Sequence, residues 1–175
     1  MLFHTFVPNM KDPILNAGVI AGLVSVILKM VYFLGFYPND DFDMYVRFAY
    51  LLAFLLALFL GLRAWKGDHL DSKLVDDVKA GMKVASLYAL ILAPFTYIYY
   101  KWINPEYFQD RMEQAIAAAQ ESTPDQVEQV RETVSFIFDA FTHATITLFG
   151  LLFIGFLYTL VIVAIFRTKP EMVKN

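Results

Sequence analysis

Apolar positions along this chain gather into four long runs separated by polar segments of differing character. The most complete run is residues 144–166 (ATITLFGLLFIGFLYTLVIVAIF), which holds no charged residue and whose only polar side chains are hydroxyls. At about 1.5 Å of rise per residue, a helix of this length covers the roughly 30 Å hydrocarbon core of a bilayer. It lacks the polar stripe of a soluble core helix, and it stops at Arg167 and Lys169, with Pro170 between Lys169 and the last few residues. Residues 14–37, 45–65 and 84–102 read as three further spans. The first carries Ala17, Gly18, Ala21, Gly22 and Ser25 at helical spacing, and the second Ala49, Ala53, Ala57 and Gly61. Such rows let helix backbones approach closely in lipid, so these two spans are expected to form an antiparallel hairpin across the acidic turn at 38–43 (PNDDFD). Pro94 is expected to kink the third span, which neighbouring helices tolerate in a membrane.

The connecting segments differ. Residues 63–83 mix Lys and Asp, with Leu70, Leu74, Val75 and Val78 at helical spacing; residues 70–82 read as an amphipathic helix on the membrane surface that feeds into span three. An aromatic cluster (Tyr97, Tyr99, Tyr100, Trp102, Tyr107 and Phe108) follows that span and fits an interfacial belt. Residues 104–139 are acidic, with Glu106, Asp110, Glu113, Glu121, Asp125, Glu128, Glu132 and Asp139 against Arg111 and Arg131. Asn104-Pro105 opens one helix there, and Thr123 as N-cap with Pro124 in the first turn opens a second. The second is expected to run without a break into span four. The first span is too long for the core of a signal peptide and no small-x-small cleavage site follows it, so it is expected to remain as an anchor.

Composition agrees with this reading. The chain of 175 residues is 58% hydrophobic and only 18% charged, against about 25% charged in a typical soluble domain. A net charge of -3 and the lack of a basic run argue against nucleic acid as a partner. The absence of cysteine excludes disulfides, thiolate metal sites and a cysteine nucleophile. Charge also sets an expected orientation. Lys11, Arg63, Lys66, Lys73, Lys79, Lys83, Arg167, Lys169 and Lys174 fall on the side of the termini, against Arg47, Lys101, Arg111 and Arg131 on the other. Cytoplasmic loops carry the Lys/Arg excess, so both termini are expected in the cytoplasm and the acidic hairpin outside. A faint internal similarity, Ala17-Gly18 with Ala80-Gly81 and Arg63 with Arg167, would correspond to a duplicated hairpin in parallel orientation.

Five segments together resemble one family, the four-span bacterial membrane proteins grouped as domain of unknown function 4199. They are the first span (NAGVIAGLVSVI), the end of the second (GLRAWK), the re-entry into the third (VDDVKAGMKVA), the acidic insertion (RMEQAIAAAQ) and the close of the fourth (AIFRTKPE). The resemblance implies an integral inner-membrane protein of Gram-negative-type bacteria and carries over no activity and no functional residues.

Three residues stand out as candidate functional positions. Lys29 is an ionisable residue inside a span, which marks a relay or an anion site by default; the plainer reading is that it snorkels towards Asp40, Asp41 or Asp43 or pairs with Asp139. Asp139 and His143 lie i, i+4 at the mouth of span four, with Glu132 seven residues before Asp139, and such a face can hold a metal or pass protons. One helix does not complete a site, and a polar helix entry explains the pair as well. Thr142, Thr145 and Thr147 mark a polar path, or else bond back to their own helix. No Ser-His-Asp arrangement, HExxH, Walker loop or dinucleotide fingerprint occurs. The expectation is an all-α, integral membrane four-helix bundle, non-enzymatic and without cofactor or metal, that acts as an accessory or scaffold subunit in the bacterial inner membrane. The alternative is a small oligomeric transporter or ion conductor using Lys29 and Asp139. Partners are the lipid bilayer and either a homo-oligomer or a larger membrane complex.

Overall fold

The computed structural model describes residues 12–37, 40–119 and 124–173. Its elements are α1 (Pro13–Gly35), α2 (Asp40–Asp68), α3 (Leu74–Ile98), α4 (Glu106–Ala118), α5 (Pro124–Ile137) and α6 (Ala140–Thr168). A π-turn at Tyr99–Ile103 extends α3, and a 3-10 turn at Pro170–Met172 follows α6. No strand occurs among the described residues. Among the described residues, four helices are long and apolar enough to cross a membrane: Pro13–Gly35, Phe42–Asp68, Leu74–Ile103 and Ala140–Thr168. The chain divides into two compact units, one of Met1–Ile91 with Leu151–Asn175 and the other of Leu92–Gly150.

The first unit packs α1, α2, the first part of α3 and the last part of α6. On α1 the outer and inner faces are largely sorted by size. On α1, Ile14, Gly18, Ala21, Gly22, Ser25, Lys29 and Tyr32 are buried, whereas Ile20, Leu23, Val24, Ile27, Val31 and Leu34 are exposed. Lipid tails are as apolar as leucine, so large aliphatic side chains gain nothing by turning inward, and helices associate where small residues permit close van der Waals contact. A methyl group on Gly18 would come within 2.9 Å of Leu87 Cβ on α3, and one on Gly61 within 2.9 Å of Ala17 Cβ on α1. On α6, a methyl at Gly155 would meet Ala85 Cβ at 2.6 Å and Phe54 at 3.0 Å. Gly81 of α3 lies directly against the Thr159 side chain of α6. Phe54 stacks on Tyr88 with centroids 4.5 Å apart at the centre, and Tyr88 donates to the Tyr50 carbonyl at 3.1 Å. Since that bond uses the Tyr88 proton, the 2.8 Å contact with Ser25 Oγ has serine as donor.

The second unit holds the end of α3, the helices α4 and α5, and the start of α6. Pro94 lies inside α3 without ending it. The π-turn closes through Asn104 N–H to the Tyr99 carbonyl at 2.8 Å, and the Asn104 side chain donates to the Tyr99 hydroxyl at 3.3 Å. Tyr100 stacks on Phe108 at 4.3 Å, and Phe108 is the buried residue of α4. The aromatic cluster is therefore divided: Trp102 is exposed as a belt residue would be, while Tyr99 and Phe108 are buried.

Three boundaries depart from the sequence expectations. The acidic segment after Pro38 is not all turn, because α2 already begins at Asp40; carboxylates favour a helix N-terminus, where unbonded N–H groups point outward. In the segment at 70–82, expected to feed into span three, the helix starts at Leu74. Residues 70–73 are loop, and 74–82 are the first turns of the unbroken α3. The helix after Pro124 does not run into span four, since α5 ends at Ile137 and α6 restarts at Ala140. The expected Thr123 cap lies outside the described residues.

Two chemically identical substitutions separate packing from helix propensity. Gly81→Ala is expected to destabilise by about 1–3 kcal/mol, the usual cost of overpacking. Gly150, whose added methyl would meet nothing within 4 Å, is expected to tolerate alanine with no loss or a gain of up to about 1 kcal/mol. Unfolding in mixed micelles with increasing dodecyl sulfate measures both.

Candidate functional site

The first unit contains two buried ionic clusters of the same composition: one carboxylate shared by two cations. In the first, Lys29 Nζ of α1 donates to Asp43 Oδ1 at 3.0 Å. Arg47, one turn further along α2, donates through Nε to Asp43 Oδ2 at 2.9 Å, with Nη2 on the same oxygen. Asp43 and Lys29 are buried, and the Lys29 ammonium also lies 5.0 Å from the centroid of the Tyr32 ring. An opposing charge and an aromatic face together replace much of the hydration that a lysine loses inside a span. Of the three carboxylates named for it on the acidic turn, Lys29 reaches Asp43; the side chains of Asp40 and Asp41 lie outside the described residues.

The second cluster centres on Asp77, only 2% exposed. Lys66 Nζ, from the end of α2, reaches Asp77 Oδ1 at 3.1 Å and Oδ2 at 3.2 Å, and also donates to Ser72 Oγ at 2.7 Å. Arg167, from the end of α6, donates through Nε to Asp77 Oδ2 at 2.8 Å and through Nη2 to the Ser72 carbonyl at 2.7 Å. One carboxylate thus ties the C-terminal ends of α2 and α6 to the first turn of α3. Sequence reasoning missed this cluster, counting Lys66 and Arg167 only as loop cations. A signal was present: Asp77 precedes Gly81, Val84 and Tyr88 at steps of four, three and four, which places it on the buried stripe of α3.

Both clusters lie on α2, where Asp43 and Lys66 are 23 positions apart, or about 34 Å along the helix axis. This separation matches the roughly 30 Å hydrocarbon core plus a little of each interface. The two clusters thus lie about as far apart along α2 as an apolar layer is thick.

In the second unit, Asp139 is the N-cap of α6: its carboxylate accepts from the Thr142 N–H at 2.9 Å, and its carbonyl accepts from the His143 N–H at 2.8 Å. The break between α5 and α6 follows, because a capping residue takes a non-helical conformation. The His143 ring stands edge-on to Tyr100 and Phe108, with centroids 5.1 and 5.3 Å away. Glu132 is exposed on α5. No group of three or more histidine and carboxylate side chains arranged to hold a metal occurs among the described residues. Thr145 bonds back to the Phe141 carbonyl at 2.8 Å, the ordinary behaviour of a helical threonine.

Chemically, a carboxylate held by two cations is a poor base and a poor ligand, since its lone pairs are already engaged. Both clusters act as clamps between helix ends. A comparison with protein families finds that the model described as "Protein of unknown function (DUF4199)" matches residues 16–168, an interval that takes in nearly all of the four long apolar helices. No curated protein and no solved structure matches.

The clamps differ in what happens when one partner is removed. Asp77→Ala leaves the buried Lys66 without its carboxylate and is expected to cost about 3–5 kcal/mol. Arg47→Ala removes a side chain that is 60% exposed and is expected to cost less than about 1 kcal/mol. Equilibrium unfolding of the two variants in one detergent gives the comparison.

Proposed function

The chain belongs to the DUF4199 family, and from that premise we propose that it is a non-enzymatic accessory or scaffold subunit of a bacterial inner membrane, with both termini cytoplasmic. The observation that carries this reading is the incomplete burial of the α4–α5 hairpin. Met112, Ala115 and Ile116 on α4 and Val127, Val130 and Val134 on α5 are only half-buried. Glu106, Asp110, Glu113, Glu128 and Glu132 are exposed, and Glu128 pairs with Arg131 at 3.5 Å on the exposed surface. With Phe136 and Ile137 at the end of α5 exposed as well, the hairpin has apolar surface to offer a protein partner, and its acidic face suits a partner with a basic one. In the first unit the buried charges of the spans are matched to one another, which supports a framework role rather than a working site.

The excess of Lys and Arg on the side of the termini supports the orientation, and the hairpin then faces away from the cytoplasm. The expected result is that gentle extraction from native membranes co-purifies an unrelated protein in fixed stoichiometry. Deleting residues 106–137, with a short flexible linker in their place, removes that partner while the remaining spans still enter the membrane. Recovery of the chain solely as a homo-oligomer, unchanged by the deletion, overturns the reading and favours transport through an assembly of copies.

A further inference from the structure

Two adjoining grooves on the first unit differ in chemistry and share an edge. The first, of about 530 Å³, runs between α1 and α2 and is floored by small residues, among them Ala17, Ala21, Ala53, Ala57 and Gly61. The second, of about 600 Å³, lies at the C-terminal end of α2 and is lined by Arg63, Gly67, Asp68, Leu70 and Val173. Leu60 and Ala64 line both. The pair therefore forms one path along α2, apolar where the helix is within the span and polar where the span ends. Arg63 and Asp68 are exposed and have no ion-pair or hydrogen-bond partner among the described residues. Lys66, one turn on from Arg63, is committed instead to Asp77.

We propose that this path is a binding site for a single bilayer phospholipid, with one acyl chain in the small-residue groove and the phosphate at Arg63. Charge complementarity selects the occupant. A guanidinium presents paired N–H donors that match phosphate oxygens, and it does so best where water is partly excluded. A transmembrane helix of another protein would fill the apolar half but bring no anion to Arg63. Asp68, on the wall of the same polar pocket, meets the amine of an ethanolamine headgroup, so phosphatidylethanolamine is the probe of choice. The volume of about 530 Å³ leaves room along the two helices for a flexible chain. The proposal rests on the chain lying in a membrane and is independent of the partner assigned to the hairpin.

The test uses the full-length protein, delipidated in mild detergent and titrated with phosphatidylethanolamine under native mass spectrometry. The wild type is expected to take up one lipid per chain ahead of weaker, non-saturating adducts. Arg63→Gln removes the phosphate contact, and Ala64→Phe obstructs the neck where the grooves join. Both positions are exposed, so both variants are expected to melt as the wild type does in lipid-free detergent. Each is expected to lower retention of the first lipid by about tenfold or more, the size of one lost charge-assisted contact. Equal uptake by wild type and both variants overturns the proposal. So does loss with Arg63→Gln alone, which would mean a headgroup adsorbed without its chain in the groove. A lipid-free dimer that Ala64→Phe dissociates overturns it as well, because a second copy then covers the groove.

Discussion

Close approach of helix backbones is the constraint on which the first unit depends. In water the burial of leucine and valine would draw α1, α2, α3 and α6 together, but lipid offers those side chains an equally apolar surrounding. What remains is contact at short range, and the backbones come closest where side chains are missing. Gly18, Gly61, Gly81 and Gly155 each leave no room for a methyl group against a neighbouring helix. Many of the larger aliphatic residues of α1 and α2 face outward, while Leu58, Leu62, Val84, Ile162 and Val163 fill the space between the helices where they are farther apart.

Backbone contact fixes how near the helices come but is less specific about their register along the membrane normal. The two carboxylates supply that. Asp43 joins α1 to α2 near one end of α2, and Asp77 joins α2, α3 and α6 near the other. Each carboxylate engages both oxygens, and in each cluster one cation is buried while the other reaches the surface. A slip of one helical turn, about 5.4 Å, would separate the pairs that join different helices, Lys29–Asp43, Lys66–Asp77 and Arg167–Asp77, in a medium where unpaired charge is costly. Shallow contacts set the spacing, and buried ion pairs set the register.

The second unit follows a different logic. Its interior is aromatic: Tyr99, Tyr100, Phe108, Phe138 and His143 stack or meet edge-on, and a capping carboxylate ends one helix as the next begins. Aromatic rings cover large areas per residue and combine an apolar body with polar tips, which suits a short assembly at the mouth of a span. The hairpin leaves Phe136 and Ile137 exposed, and this apolar surface beside an acidic face is the basis for reading it as a surface that meets another protein.

The sequence by itself determined that the chain is all-α with four long apolar helices, the small-residue faces of α1 and α2, the helical character of the acidic insertion and the family resemblance. All of these are local properties, because bilayer thickness fixes span length and the α-helix fixes the period at which small residues repeat. It also singled out Lys29 as needing a counter-charge and named Asp43 among the choices. Tertiary structure alone decided that Asp43 is the carboxylate that Lys29 meets, that Asp77 gathers Lys66 and Arg167, 90 positions away, and that the aromatic cluster divides into buried and exposed members. It decided too that Asp139 caps a new helix instead of lying within a long one. A pairing between helices depends on which faces meet and at what depth, and no spacing along one helix encodes that. Periodicity predicts which residues turn inward, and only packing selects what they meet there.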